Sequence, residues 1–204
     1  MYPVISQIIE VLDRQKVDES RLQALNELSA YLLGEIQKGE IPKVNFICTH
    51  NSRRSVLAQT WMSVLAESFN LKIQSFSGGT EVTEVNERVI YSFRRMGFSV
   101  ISDELELNST YEITFSDSVE SISCFSKLFN DEANPSVGFL AVMTCGNADE
   151  NCPIVPGAEK RLPIKYEDPK KFDDSPLESL MYDARSIEIA AELHYVLSNV
   201  KTNL

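Results

Sequence analysis

The chain has 204 residues, a formal net charge of −11 at pH 7 and a composition that is 43% hydrophobic and 24% charged. That length supports one sizeable core, and the acidic balance excludes the basic face that nucleic acid or an anionic membrane requires of a partner. No apolar run approaches the ~18 residues needed to cross a bilayer. The N-terminus has no basic start or small-residue cleavage site, so a soluble cytoplasmic protein is expected.

Residues 1–40 read as an N-terminal helical extension. Val4, Ile5, Ile8, Ile9 and Leu12 recur at helical spacing, and Leu22, Leu25, Leu28, Leu32 and Ile36 do so again. Asp18 suits an N-cap and Gly39 a stop. The resulting helical hairpin packs on the domain or on a second copy, so a homodimer through these helices is an open expectation. Nothing in the segment suggests chemistry.

Residues 43–204 alternate between short strands and helices. Val44–Ile47 is a short, mostly apolar run suited to a buried strand. A helix with Leu57, Trp61, Leu65 and Phe69 along one face follows. Lys72–Phe76 suits a second strand. Val85, Val89, Phe93 and Met96 form a helical stripe that ends at Gly97. Tyr111–Phe115 reads as a strand that pairs with Ser121–Phe129 in an inserted hairpin. Phe139–Met143 and Arg161–Ile164 are further strands, and a closing helix spans about 176–199. The fold expected is an α/β three-layer sandwich with a mainly parallel four-stranded sheet.

The segment Cys48-Thr49-His50-Asn51-Ser52-Arg53-Arg54-Ser55 stands between the first strand and the following helix. Ligand sites of parallel sheets form at the carboxyl ends of strands. There, successive N–H groups and a helix N-terminus converge on an anion. That field favours the thiolate of Cys48, the nucleophilic form. Arg54 offers a planar fork to two oxygens of a tetrahedral oxyanion, which lysine does not match. Ser55 donates to the sulfur, and Asn51 braces the loop. Thr49, His50, Ser52 and Arg53 complete the binding loop through backbone N–H groups, with the His50 side chain not needed as a base and Arg53 adding potential or facing solvent. Such local attraction overcomes a net charge that repels an anion. The bland alternative is a buried structural cysteine followed by a polar turn.

Four cysteines occur, Cys48, Cys124, Cys145 and Cys152, and in a cytosolic chain catalysis or redox exchange is expected of them before a disulfide framework. Cys145 follows the Phe139–Met143 strand, which belongs beside the first and places this thiol at the sheet edge of Cys48. Six small or polar residues separate it from Cys152, as suits a mobile segment. Two thiols there can relay a disulfide; a structural pair is the competing reading. Zinc is disfavoured, because the two histidines, His50 and His194, make no ligand pattern with the pair. Asp168, in Glu167-Asp168-Pro169, is a candidate general acid, although an Asp-Pro step is more often a turn. Cys124 reads as a buried small hydrophobe and His194 as a helix residue.

Taken together these motifs resemble a known family over about residues 43–199. Cys48–Ser55 resembles the nucleophile loop of low-molecular-weight protein tyrosine phosphatases, Ser77-Gly78-Gly79-Thr80 their Ser-Ala-Gly-Thr segment, and Asp168-Pro169 their general-acid step. Cys145-x6-Cys152-Pro153 with Gly157 is similar to the thioredoxin-coupled arsenate reductases built on that fold. The resemblance implies that Cys48 attacks arsenate, Asp168 protonates the departing hydroxide, Cys145 attacks Cys48 and Cys152 attacks Cys145. No cofactor is bound, and external thioredoxin reduces the final disulfide. Hydrolysis of phosphomonoesters through a phosphocysteine is the alternative, and a non-enzymatic redox sensor or phosphate-binding module a second. The extension, the stretch from about 111 to 135, Gly79 and Glu167 depart from the family pattern.

Overall fold

A computed structural model describes the chain apart from residues 103–106 and 152–153, and apart from the side chain of Asn151. Cys152 and Pro153 therefore lie outside the described residues. Helices α1 (Pro3–Leu12) and α2 (Leu22–Gln37) are joined through a 3-10 turn at Glu19–Arg21. Asp18 does act as a cap, but of the 3-10 turn, its carboxylate accepting from the Ser20 N–H at 2.8 Å. Gly39 terminates the segment with φ +82°.

Four parallel strands form the main sheet, β1 (Lys43–Cys48), β2 (Gln74–Gly79), β6 (Phe139–Met143) and β7 (Ala158–Pro163), in the order β2-β1-β6-β7. β1 is central because its side chains from Val44 onward are all buried, which only a strand covered on both faces can sustain. Its register pairs Cys48 with Gly79 on β2 and Ile47 with Met143 on β6. The strands therefore deliver Cys48, Gly79 and Cys145 to one edge of the sheet.

The two sheet faces are covered unequally. Val44, Phe46, Leu140, Val142 and Leu162 point into a large core shared with α3 (Arg54–Ser68), α4 (Glu87–Arg95), α6 (Glu178–Thr202), α1 and α2. Ile47, Phe139, Ala141 and Met143 point the other way, under Ala148 of the short α5 (Gly146–Asn151) and Val155. α3 is buried around nearly its whole circumference, not along one face as its leucines and Trp61 suggest. The reason is that α6 closes over it, where Trp61 Nε1 donates to Ser186 Oγ at 2.8 Å.

Two expectations need correction. The inserted hairpin is a three-stranded antiparallel sheet of β3 (Ser99–Ser102), β4 (Tyr111–Thr114) and β5 (Ile122–Cys124). Only residues 122–124 of the expected 121–129 strand pair with β4. Beyond them the chain leaves for the main sheet, bridging Leu128 to Gly79 of β2. The segment after Cys145 is helical, not an open loop. Of the two places open to the N-terminal hairpin, the domain or a second copy, the helices pack on the domain, with Ile5, Leu25, Leu28 and Leu32 fully buried in the common core.

Candidate active site

Cys48 ends β1, and the chain then turns through residues 49–53 into α3. The loop carbonyls are held from outside. Cys48 O accepts from Thr80 N (3.1 Å), Thr49 O from Glu81 N (2.8 Å) and Ser52 O from Asn86 N (3.0 Å). The hydroxyl of Ser126 donates to His50 O at 2.8 Å. Since the N–H of a peptide unit points opposite to its carbonyl, these bonds leave the N–H groups of Thr49, His50, Asn51 and Arg53 pointing away from the partners named. From that arrangement an anion nest can be built.

Below the loop a set of hydrogen bonds ends on the sulfur. Asn51 Nδ2 donates to both Ser55 Oγ and Ser77 Oγ at 2.9 Å. Ser77 passes its own proton to Gln59 Oε1 at 2.5 Å. Ser55 Oγ, accepting from Asn51, lies 3.1 Å from Cys48 Sγ, a contact in which either group can donate. Gly79 is required by this packing. A Cβ there would stand 2.6 Å from Glu81 O, 2.7 Å from Thr49 O and 2.8 Å from Asn51 N, all backbone atoms.

Arg54 opens α3 and is the hub of the site. Its Nη1 donates to Tyr166 O at 3.0 Å and its Nη2 to Asp168 Oδ2 at 2.6 Å. Its Nε is buried with no partner among the described residues. An unpaired buried donor costs about 1–3 kcal/mol, and a tetrahedral oxyanion held by the loop would satisfy it. Asp168 sits beyond β7 and caps a 3-10 turn at Pro169–Phe172, its other oxygen accepting from Lys170 N at 3.0 Å. Glu167 points elsewhere, paired with Lys171, whose hydrogen bond holds its carboxyl below the usual range. Of the two neighbouring carboxylates, Asp168 is the one at Arg54.

Two loop side chains face away from the sulfur. His50 Nε2 lies 3.3 Å from Glu81 on the exposed rim. Arg53, expected to add potential or to face solvent, is largely buried. Its Nε donates to Tyr182 OH at 2.9 Å, and that hydroxyl donates to Asp173 at 2.7 Å. Arg53 thus ties the loop to α6.

Cys145 lies just past β6, only 1% exposed, with its sulfur 3.5 Å from Thr49 Oγ1. The first turn of α5 covers it, Ala148 N donating to Sγ at 3.4 Å. Thr49 also donates to Asn147 at 3.2 Å, so one hydroxyl links the Cys48 loop to the helix that follows Cys145. Cys124 is fully buried in the large core, where burial pushes its thiol up to about 11. It takes no part in the site. Gln59, Ser77 and Tyr166 are the contributors that sequence patterns did not single out individually.

No protein-family model matches the chain. Over 127 residues it is 29% identical to arsenate reductase 1 of Staphylococcus saprophyticus, an alignment that covers 62% of this chain and 77% of that protein. Its structure is similar to the arsenate reductase from Archaeoglobus fulgidus, with a TM-score of 0.50, 19% identity, and coverage of 76% of this chain and 98% of that one. It is also similar to a low-molecular-weight phosphotyrosine phosphatase from Vibrio cholerae, with a TM-score of 0.51, 14% identity, and coverage of 77% and 94%.

Proposed function

We infer that this chain, which has the fold of the low-molecular-weight tyrosine phosphatases and is a sequence relative of arsenate reductases, reduces arsenate to arsenite through a thiol relay. The observation that carries this reading is the position of Cys145. A second thiol stands at the end of the strand next to β1, in contact with Thr49, the residue that follows the nucleophile.

The chemistry balances with these groups. Arsenate enters the loop and competes with the Asp168 carboxylate for Arg54. Asp168, displaced from Arg54, takes up the proton that the Cys48 thiol gives up. Cys48 then attacks arsenic and displaces a hydroxyl, which leaves as water on taking that proton from Asp168. The Cys145 thiolate then attacks Cys48 Sγ. A sulfur–sulfur bond forms, the sulfur–arsenic bond breaks, and its electron pair passes to arsenic, giving arsenite. Cys152 attacks Cys145 in turn, freeing Cys48. Thioredoxin, as an external dithiol, supplies the two electrons that reopen the Cys145–Cys152 disulfide.

Phosphomonoester hydrolysis is the second reading, favoured by one specific observation. The Cys48–Ser55 contact and the Arg54–Asp168 pair both form without any part played by Cys145. Activated aryl phosphates are therefore expected to turn over slowly through a phosphocysteine cleared by water. Arsenate-dependent NADPH consumption in the presence of thioredoxin and thioredoxin reductase tests both readings alongside aryl phosphate hydrolysis. Reduction is expected to vanish in Cys48→Ser, Cys145→Ser and Cys152→Ser, whereas hydrolysis vanishes only in the first. Undiminished arsenate turnover by Cys152→Ser would contradict the relay.

A further inference from the structure

Arg21 ties the N-terminal extension to the acid side of the site. Arg21 ends the 3-10 turn between α1 and α2. Its Nε and Nη2 donate to the two carboxylate oxygens of Glu192 on α6, at 2.7 and 2.8 Å. Its Nη1 donates to the Lys165 carbonyl at 2.6 Å, and its Cζ lies 4.9 Å from the centre of the Tyr166 ring. Tyr166 is buried. Its N–H donates to Thr144 O at 3.0 Å, and its carbonyl accepts from Arg54 Nη1. Two residues further on is Asp168, bound to the other arm of the same Arg54 guanidinium.

Two arginine forks therefore grip one short strip of chain from opposite sides. Arg21 holds 165–166 from the extension, and Arg54 holds 166 and 168 from the site. All three kinds of contact made by Arg21 are engaged at once: a bidentate carboxylate pair, a backbone carbonyl and a stacked ring. Lysine reproduces only the charge. The strip needs such support because it is a connection between β7 and a 3-10 turn, without ladder hydrogen bonds beyond the Tyr166–Thr144 bond.

We propose that Arg21 is a positioning residue for the acid step, fixing the 165–168 strip so that Asp168 and Arg54 meet the leaving oxygen in register. The role rests on the reading of Cys48 as nucleophile and Asp168 as acid. It gives the extension a part in the chemistry besides packing. A part-buried ion pair contributes little net stability against an apolar replacement, so removing both charges is expected to leave the fold intact while releasing the strip.

The test compares phenyl phosphate, a poor leaving group, with 4-nitrophenyl phosphate, a good one that needs little protonation. Positioned acids contribute roughly 10²–10⁴ to rate. The Arg21→Met/Glu192→Met variant is expected to lose about 10-fold or more in kcat on phenyl phosphate and several-fold less on 4-nitrophenyl phosphate. Added to Asp168→Asn it should cause no further loss, as befits residues acting through one another. Arg21→Lys, which keeps the charge and loses the fork, should show the same leaving-group bias, and it carries the test if thermal melting shows the double variant unfolded. Equal losses on both esters, losses additive with Asp168→Asn, or unchanged rates would overturn the positioning role. Absence of any Cys48-dependent turnover in the wild-type protein would instead overturn the reading of the site itself, and this role with it.

Discussion

Asn51 occupies the left-handed region at φ +47°, a conformation that asparagine tolerates better than most side chains, and it makes its bonds from there. Its amide nitrogen serves Ser55 and Ser77, while its Oδ1 accepts from Lys127 N at 3.1 Å. Asn51→Ala strips partners from three groups and strains the backbone at once. Ser55 and Ser77 keep their contacts with Cys48 and Gln59, so the group left unpaired is the Lys127 N–H. At about 1–3 kcal/mol for that donor and about 1–2 kcal/mol for alanine in the left-handed region, a stability loss of roughly 2–5 kcal/mol is expected by urea unfolding. A drop in Cys48-dependent turnover should accompany it, because Ser55 loses the amide that orients it beside the sulfur. An unchanged midpoint and rate would show that the loop needs no brace. At this scale the sequence was informative where the partners are neighbours: Cys48, Arg54 and Ser55 lie within eight consecutive residues. Gln59 and Tyr166 were not legible, because only tertiary packing brings them to Asn51, Ser77 and Arg54.

Among the elements, α5 governs access to the second thiol. Among the described residues, Cys145 is buried under the first turn of this helix, so a thiol reagent is expected to reach it through local opening of α5. Asp149 holds α5 down, its carboxylate paired with Arg161 and with Lys165 at 2.7 Å. Burial opposes its charge, but Lys165 and Arg161 prevail and keep its carboxyl below the usual range. Asp149→Asn is expected to raise the alkylation rate of Cys145 by about 5-fold or more through easier local opening, read peptide by peptide by mass spectrometry with Cys124 as the buried reference. An unaltered Cys145 rate would dissociate the Asp149 pairs from access. The helix was missed in the sequence because Gly146–Asn151 is too short and polar to show periodicity. β3 was missed for a related reason: two apolar residues between serines make no alternating pattern long enough to see.

The whole molecule is built around α6, which α1, α2, α3 and α4 all share as a packing surface. His194 lies on this helix with its ring centre 5.1 Å from that of Phe69. Burial pushes its proton affinity below the ordinary value of 6.5, with Asp13 opposing only in part. The folded protein thus binds this proton less readily than the unfolded chain. The corresponding stability is fully present above pH 6.5 and falls away as pH drops below it. Urea midpoints at pH 7.5 and 5.5 are expected to differ less in His194→Gln than in the wild type; an identical difference would remove His194 from the acid response. The parallel sheet, and the edge of it that carries Cys48 and Cys145, were readable in the alternation of apolar strands and helices. The incorporation of residues 1–40 was not, since an apolar stripe such as Leu25, Leu28 and Leu32 fits its own core, a second copy or this one equally well.

Cys48 and Cys145 meet on arsenate or they do not, and a single turnover decides it. Cys152→Ser, treated with one equivalent of arsenate, is predicted to yield one arsenite per chain and a Cys48–Cys145 disulfide in the peptide map. Arsenate returned unchanged with both thiols free, or arsenite formed without that disulfide, would contradict the relay.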